Sequence, residues 1–266
     1  MAQQPKAQPP KSLRLYVFDC GYLNNPDPAV PSNYGLKKEE MGTTMMSVAC
    51  FLVAHPKGTM IWDAGAVPDS AFKPGGGPAT LRYATSVKPL TAQLAEIGYA
   101  PADINYLALS HFHWDHVGNA NVFAGSTWLA RKLERDIMFT EPVSGRTEPG
   151  NYSALKNSKT IFIEADYDVF GDGTVVLKSA PGHSPGHQVL FLKLAKTGPV
   201  VLSGDLYHYP EERKLNRMPT NEFNAAQTAE SRTAIEAFLK KTGAQLWIQH
   251  DYKGNAKLNK SPKFYE

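Results

Sequence analysis

The chain has 266 residues, enough for one large α/β domain or two small ones with a real core. A 42% hydrophobic and 20% charged composition is ordinary for a globular protein, and a net charge of +3 is too mild to argue for a nucleic-acid partner. No apolar run approaches the ~18 residues of a membrane helix. The opening Met1-Ala2-Gln3-Gln4-Pro5-Lys6 and the residues after it are rich in Gln, Pro and Ala and lack an apolar stretch, so residues 1–12 read as a disordered extension and residues 13–266 as a single domain. Location is then cytoplasmic, or periplasmic or secreted if a signal peptide was removed before Ala2. Residues 13–20 alternate as a strand, and residues 21–42, with Asn, Asp and Pro and little periodicity, form a long loop. Cys20 and Cys50 end or interrupt strand-like runs without CxxC spacing; they are expected as two small buried core residues, with pairing left open should the chain be exported.

Strands over residues 46–54 and 59–62 flank the turn His55-Pro56-Lys57-Gly58, a hairpin pattern closed by Asp63-Ala64-Gly65. A Gly/Pro-rich stretch to Pro78 precedes an amphipathic helix over residues 89–97, with Leu90, Leu94 and Ile97 on one face and Gly98 as its stop. The buried strand Tyr106-Leu107-Ala108-Leu109-Ser110 then runs into His111-Phe112-His113-Trp114-Asp115-His116. A strand at 126–130, a helix at 131–139 and a Gly/Pro/Ser-rich insertion at 141–158 follow. The second half carries strands at 160–164, 174–179, 188–194, 200–202 and 246–248. A helix at 223–241 is expected to bury Phe223, Ile235, Phe238 and Leu239.

The HxHxDH segment packs four potential ligands into six residues at a strand end, borderline nitrogen donors with hard oxygen beside them. Three other strand ends add to it. His183 sits in the tight Pro181-Gly182-His183-Ser184-Pro185-Gly186-His187 turn, Asp205 follows Ser203-Gly204, and His250 follows Gln249. Two ions can be served: His111, His113 and His183 for one, Asp115, His116 and His250 for the other, with Asp205 between them. Paired cations sharing a carboxylate and a hydroxide are a standard device for hydrolysis at carbonyl or phosphorus. His187 is expected to begin a strand and support the site from behind, and His55 to be a turn residue.

These motifs, together with Asp63-x-Gly65, resemble the metallo-β-lactamase superfamily over nearly the whole chain from Leu13. The resemblance implies an αββα sandwich, two mixed sheets with helices outside, and a dinuclear site at the sheet edge. It also implies two divalent ions, zinc foremost, with iron, cobalt or manganese as alternatives. True β-lactamases lack an Asp at the position of Asp205. Glyoxalase II enzymes add a C-terminal helical region for which the sixteen residues after His250 leave no room. The chain is most similar to the N-acyl homoserine lactonase branch, which implies a small-molecule lactone with an acyl chain as partner and a homodimer as an option. Phosphotriester, phosphodiester or other ester hydrolysis, or persulfide dioxygenase chemistry at one iron, are the alternative activities. That branch carries a Tyr three residues after the bridging Asp, where this chain has His208 between Tyr207 and Tyr209. Asp115, Asp205, Tyr207 and His208 are therefore the candidate catalytic residues, with Tyr207 or His208 polarising the substrate. Residues 22–36 and 67–87 are expected to line an apolar channel for the acyl tail.

Overall fold

The structure is a computed structural model that describes residues 7–266. An eight-stranded mixed sheet is formed by β1 (Arg14–Leu23), β2 (Met46–His55), β3 (Gly58–Trp62), β4 (Ala79–Leu81), β5 (Ala84–Ser86), β6 (Tyr106–Ala108), β7 (Thr127–Ala130) and β8 (Thr160–Phe162), in the order β4-β5-β1-β2-β3-β6-β7-β8. A five-stranded sheet holds β9 (Tyr167–Asp168), β10 (Val175–Ser179), β11 (Gln188–Leu194), β12 (Gly198–Leu202) and β13 (Gln245–Trp247), in the order β13-β12-β11-β10-β9. The helices are α1 (Val30–Asn33), α2 (Leu90–Glu96), α3 (Lys132–Phe139), α4 (Pro210–Leu215), α5 (Ala225–Thr242) and α6 (Tyr252–Asn255).

Alternation along β1 and β2 builds the layers. Leu15, Val17, Phe51 and Val53 face the second sheet and meet Val175, Leu177, Leu190 and Leu202. Phe18, Cys50, Leu52 and Ala54 face the other way, toward Leu90 and Leu94 of α2 and Met138 of α3. With both faces covered, every residue of β2 is buried, which is why its residues 48–54 read as an unbroken apolar run rather than an alternating one. On the far side of the second sheet, Val189 and Val201 pack against Ile235 and Leu239 of α5. The result is the four-layer αββα sandwich.

Cys20 and Cys50 are buried as expected, and the pairing left open by the sequence is made: they form a disulfide. Cys50 pairs across the ladder with Phe18, and Cys20, two residues further on, shares that face, so the two sulfurs meet diagonally. Other expectations need correction. Phe223 lies outside α5 and is 62% exposed, because the Asn224 side chain accepts from the Gln227 amide and starts the helix after it. The β4–β5 hairpin, which follows the Gly-rich stretch and was not expected, extends the first sheet at Tyr22 and Leu23. Residues 7–12 lie against the domain: the Ala7 amide donates to the Gly98 carbonyl (2.9 Å) and Pro10 is buried. The first six residues of the expected extension fall outside the described residues. Among the described residues no helix is long and apolar enough to cross a membrane.

Candidate metal centre

Strands of both sheets end at one rim, and each delivers a ligand-type side chain there. β6 of the first sheet leads into His111, His113, Asp115 and His116; β10, β12 and β13 of the second lead to His183, Asp205 and His250. The residues fall into two groups that could each hold a metal ion, one of His111, His113, His183 and Asp205, the other of Asp115, His116 and His250. In the first, His113 Nδ1 lies 2.7 Å from His111 Nε2 and 3.0 Å from His183 Nε2, and Asp205 Oδ2 lies 3.3 Å from His183 Nε2. In the second, His116 Nε2 and His250 Nε2 are 3.3 Å apart, with Asp115 Oδ2 at 3.6 Å from His250. Asp205 spans both: its Oδ1 lies 3.0 Å from His116 Nε2 and 3.1 Å from His250 Nε2.

The outward nitrogens show which inward ones carry lone pairs. His116 Nδ1 lies 2.9 Å from Asp63 Oδ2, His183 Nδ1 3.1 Å from Glu222 Oε1, and His250 Nδ1 2.8 Å from the Ser47 carbonyl. Each of those oxygens only accepts, so each Nδ1 donates, and in the neutral imidazole that a metal ligand must be each Nε2 turns a lone pair inward. Lone pairs of several imidazoles pressed to about 3 Å, with Asp205 Oδ1 buried and lacking a geometrically good hydrogen bond, form an arrangement that protons alone do not satisfy. Nitrogen and carboxylate donors of this kind suit divalent cations. The residues fit the group that the motif implies.

The supporting shell explains how these loops hold their shape. Asp63 adopts a left-handed φ of +56°, a conformation rare outside glycine, and its Oδ1 accepts from the Ser110 amide at 2.6 Å. Gln249 ties the two sheets behind the site: its Oε1 accepts from Trp62 Nε1 (2.7 Å) and the Gly204 amide (2.9 Å), and its Nε2 donates to Asp63 Oδ2 (2.8 Å). Only glycine fits at 204, where a Cβ would stand 2.6 Å from His187 Nε2 with φ at +48°. His187 Nε2 accepts from the Asp205 amide (2.9 Å) while its Nδ1 donates to the Ala180 carbonyl (2.8 Å), and burial holds its pKa down at about 4. Glu134 of α3 clamps two ligand loops at once, accepting from Ser184 Oγ (2.5 Å), the Gly186 amide (2.6 Å) and the Phe112 amide (2.9 Å). Burial raises its carboxyl to about 7, although those three donors pull the other way. His55, at the hairpin, stacks on Phe170 and pairs with Asp172, away from the rim.

The expected catalytic pair divides. His208 belongs to the site: its Nε2 lies 3.3 Å from Asp205 Oδ2 and its Nδ1 3.4 Å from Glu212 Oε1. Burial pulls its pKa down, but Glu212 and then Asp205 outweigh that and hold it up at about 10. Tyr207 does not line the cavity above the centre. Its hydroxyl donates to Glu236 (3.3 Å) and Arg232 covers its ring at 4.2 Å, so its expected role as a substrate-polarising group is corrected. Three other tyrosines line that cavity, Tyr34, Tyr83 and Tyr209; the Tyr209 hydroxyl donates to the Thr44 carbonyl (2.8 Å), and the Tyr34 ring lies 4.7 Å from that of His208 and 5.0 Å from that of Tyr209. Burial, then the charges of Tyr209, Asp205 and Asp115, raise the Tyr34 pKa well above the ordinary tyrosine value, so Tyr34 keeps its proton. No sequence pattern marked Tyr34; it sits in a loop without periodicity.

The cavity encloses about 230 Å³ and draws walls from the two expected loops, with Leu23, Val30, Tyr34 and Tyr83 among them. The expectation of an apolar channel is corrected: Asn25, Asn33, Arg82, Arg146 and Asn221 share those walls, and none of residues 67–81 lines it, Ala66 and Val67 being sealed into the core.

A profile of the Metallo-beta-lactamase superfamily matches residues 43–250, from before β2 to His250. The chain belongs to the metallo-β-lactamase superfamily. Its similarity extends beyond the superfamily motifs: it is 28% identical to the N-acyl homoserine lactonase AttM of Azorhizobium caulinodans over 264 residues, covering 96% of this chain and 99% of that one. A solved quorum-quenching N-acyl homoserine lactone lactonase superposes with a TM-score of 0.77 at 25% identity, over 94% of this chain and 97% of that one. An N-acyl homoserine lactone hydrolase solved with its product N-hexanoyl-L-homoserine at the catalytic metal centre shares the fold, with a TM-score of 0.76 at 24% identity over 94% and 98% of the two chains. As a superfamily member of this similarity, the chain is a metal-dependent hydrolase.

Proposed function

We propose that this chain is a dinuclear lactonase that opens the ring of N-acyl homoserine lactones or close relatives. The observation that carries it is Asp205, whose two carboxylate oxygens each reach a different donor group, in a chain whose full length matches lactonases. His111, His113 and His183 would hold one ion, Asp115, His116 and His250 the other, and Asp205 both. Two divalent cations held there, zinc by the mixed nitrogen and oxygen donors, would supply Lewis acidity and an acidified water.

The chain's own groups do the remaining work. Trp114, Tyr34 and Tyr83 wall the approach to the centre and restrict water around the lactone. The Tyr34 hydroxyl, kept protonated, donates a hydrogen bond to substrate oxygen, and the adjacent His208 imidazole orients it. Asp115, which lines the cavity, takes the proton of the attacking water and returns it to the ring oxygen as the ring C–O bond breaks. A lactone is a strained ester, so little additional acid catalysis is required.

The test is a pH-stat assay over a panel of lactones, thioesters, phosphotriesters and β-lactams, with metal quantified in the same samples. Lactone turnover with two metal equivalents, lost on chelation and regained with metal, is expected. Turnover in metal-stripped protein, or none of any lactone by the fully loaded enzyme, would overturn the proposal.

A further inference from the structure

Cations and amides line the cavity where an alkyl tail would need apolar surface, Arg146 among them. Arg146 is fixed at two points. Its backbone carbonyl accepts from the Trp114 amide (2.9 Å), strapping it to the HxHxDH loop, and its Nη1 donates to the Asn221 carbonyl (3.1 Å) on the opposite rim. Beside it, the Arg82 guanidinium lies over the Trp114 ring at 5.1 Å. Arg82 is committed to the carbonyls of Gly145 (3.3 Å) and Thr147 (3.1 Å) and, as an ion pair, to Glu148 (3.1 Å). Arg146 forms no ion pair among the described residues, and the only carboxylates lining the cavity, Asp115 and Asp205, belong to the donor groups. A guanidinium offers five N–H donors in a fork that matches a carboxylate. One of those five is engaged here.

We propose that Arg146 is a specificity-determining residue that recognises a carboxylate on the substrate's acyl group, so the preferred lactones carry a short, anionic acyl chain and not a long alkyl tail. The proposal rests on the lactonase reading of the centre. The cavity's modest volume, about 230 Å³, favours a short acyl group over a long one. Asn221 is held against Arg146 through its backbone, leaving its side chain as a further donor in the same cavity.

The experiment compares N-glutaryl, N-hexanoyl and N-decanoyl homoserine lactones on the metal-loaded enzyme, its Arg146→Met variant and its Arg146→Lys variant. The wild type should favour the glutaryl over the hexanoyl substrate through KM. Arg146→Met should cut that kcat/KM ratio roughly tenfold, the scale of one charge-assisted contact, and Arg146→Lys should keep part of it. A wild-type preference for decanoyl, or a ratio unchanged in Arg146→Met, would overturn the proposal. A second readout uses the change in tryptophan fluorescence, in which Trp114 is the one of the chain's four tryptophans that lines the cavity, titrating glutarate against pentanoate, in which a methyl replaces the second carboxylate. Tighter glutarate binding that Arg146→Met abolishes supports the subsite; equal binding of the two acids by the wild type overturns it. If no lactone is turned over, the lactonase reading falls and the fluorescence comparison alone decides the subsite.

Discussion

Asp63 Oδ2 lies 2.9 Å from His116 Nδ1 and 2.8 Å from Gln249 Nε2, so one carboxylate orients an imidazole of the centre and is itself held by the neighbour of another, His250. Asp63→Asn would keep the shape but remove the charge that makes His116 a strong donor. Metal affinity, read by chelator competition, should fall by about 10–100-fold. Unchanged affinity would show that His116 needs no anionic partner.

Tyr34 and Tyr207 give opposite expectations. Tyr34→Phe deletes a hydroxyl on the cavity wall and should lower kcat/KM for lactones by roughly 100-fold, the usual cost of one donor to a developing oxyanion. Tyr207→Phe loses only the hydrogen bond to Glu236 and should stay within about threefold. Steady-state kinetics on both variants checks the assignment; equal losses would refute it.

Direct removal of donors has the largest effect. His111→Ala and Asp205→Ala should each abolish measurable turnover and lower bound metal, beyond the roughly 10–100-fold expected for an outer partner. Metal quantification beside the activity assay reads both, and a variant that stays active at full metal content would remove that residue from the ligand set.

Glu134 makes stability depend on pH. Folded, its carboxyl holds a proton up to about 7; the ordinary value is 4.5. A raised acid contributes its full stability below about 4.5 and loses it as pH rises toward 7, because the unfolded chain ionises first. Across that window the loss from this group is on the order of 3 kcal/mol. Glu134→Gln should flatten the slope of denaturant-derived stability between pH 4.5 and 7 in metal-free protein. An identical slope in variant and wild type would contradict it.

The Cys20–Cys50 disulfide closes a 30-residue separation within the β1–β2 ladder. Reduction, or Cys50→Ala, should cost roughly 2–4 kcal/mol, read as a lower Tm with reductant. A Tm insensitive to reductant would show that the ladder alone holds these strands.

Much of the centre was legible because its residues sit at strand ends, where an apolar run followed by His or Asp leaves a visible mark, as at Ser110-His111 and Ser203-Gly204-Asp205. The groups around it were not. Glu134, Glu222 and Glu212 lie on helices or loops far along the chain, and nothing local separates an acid that clamps a ligand loop from one facing solvent. Tyr34 and Arg146 reach the cavity through long irregular segments, whose path depends on tertiary contacts such as the Trp114 amide to Arg146 carbonyl bond. The two cysteines are buried as their sequence context suggests, but whether they pair was open from sequence, because the diagonal that joins them depends on strand register.

The donors come from both sheets, β6 supplying four of them and β10, β12 and β13 the other three. Metal gripped from both sides would act as a rivet through the sandwich, making metal content and mechanical cohesion one property. Chelation should open amide hydrogen exchange at the rim ends of β6 and β12 together, well before it reaches the hairpin end of β2 and β3.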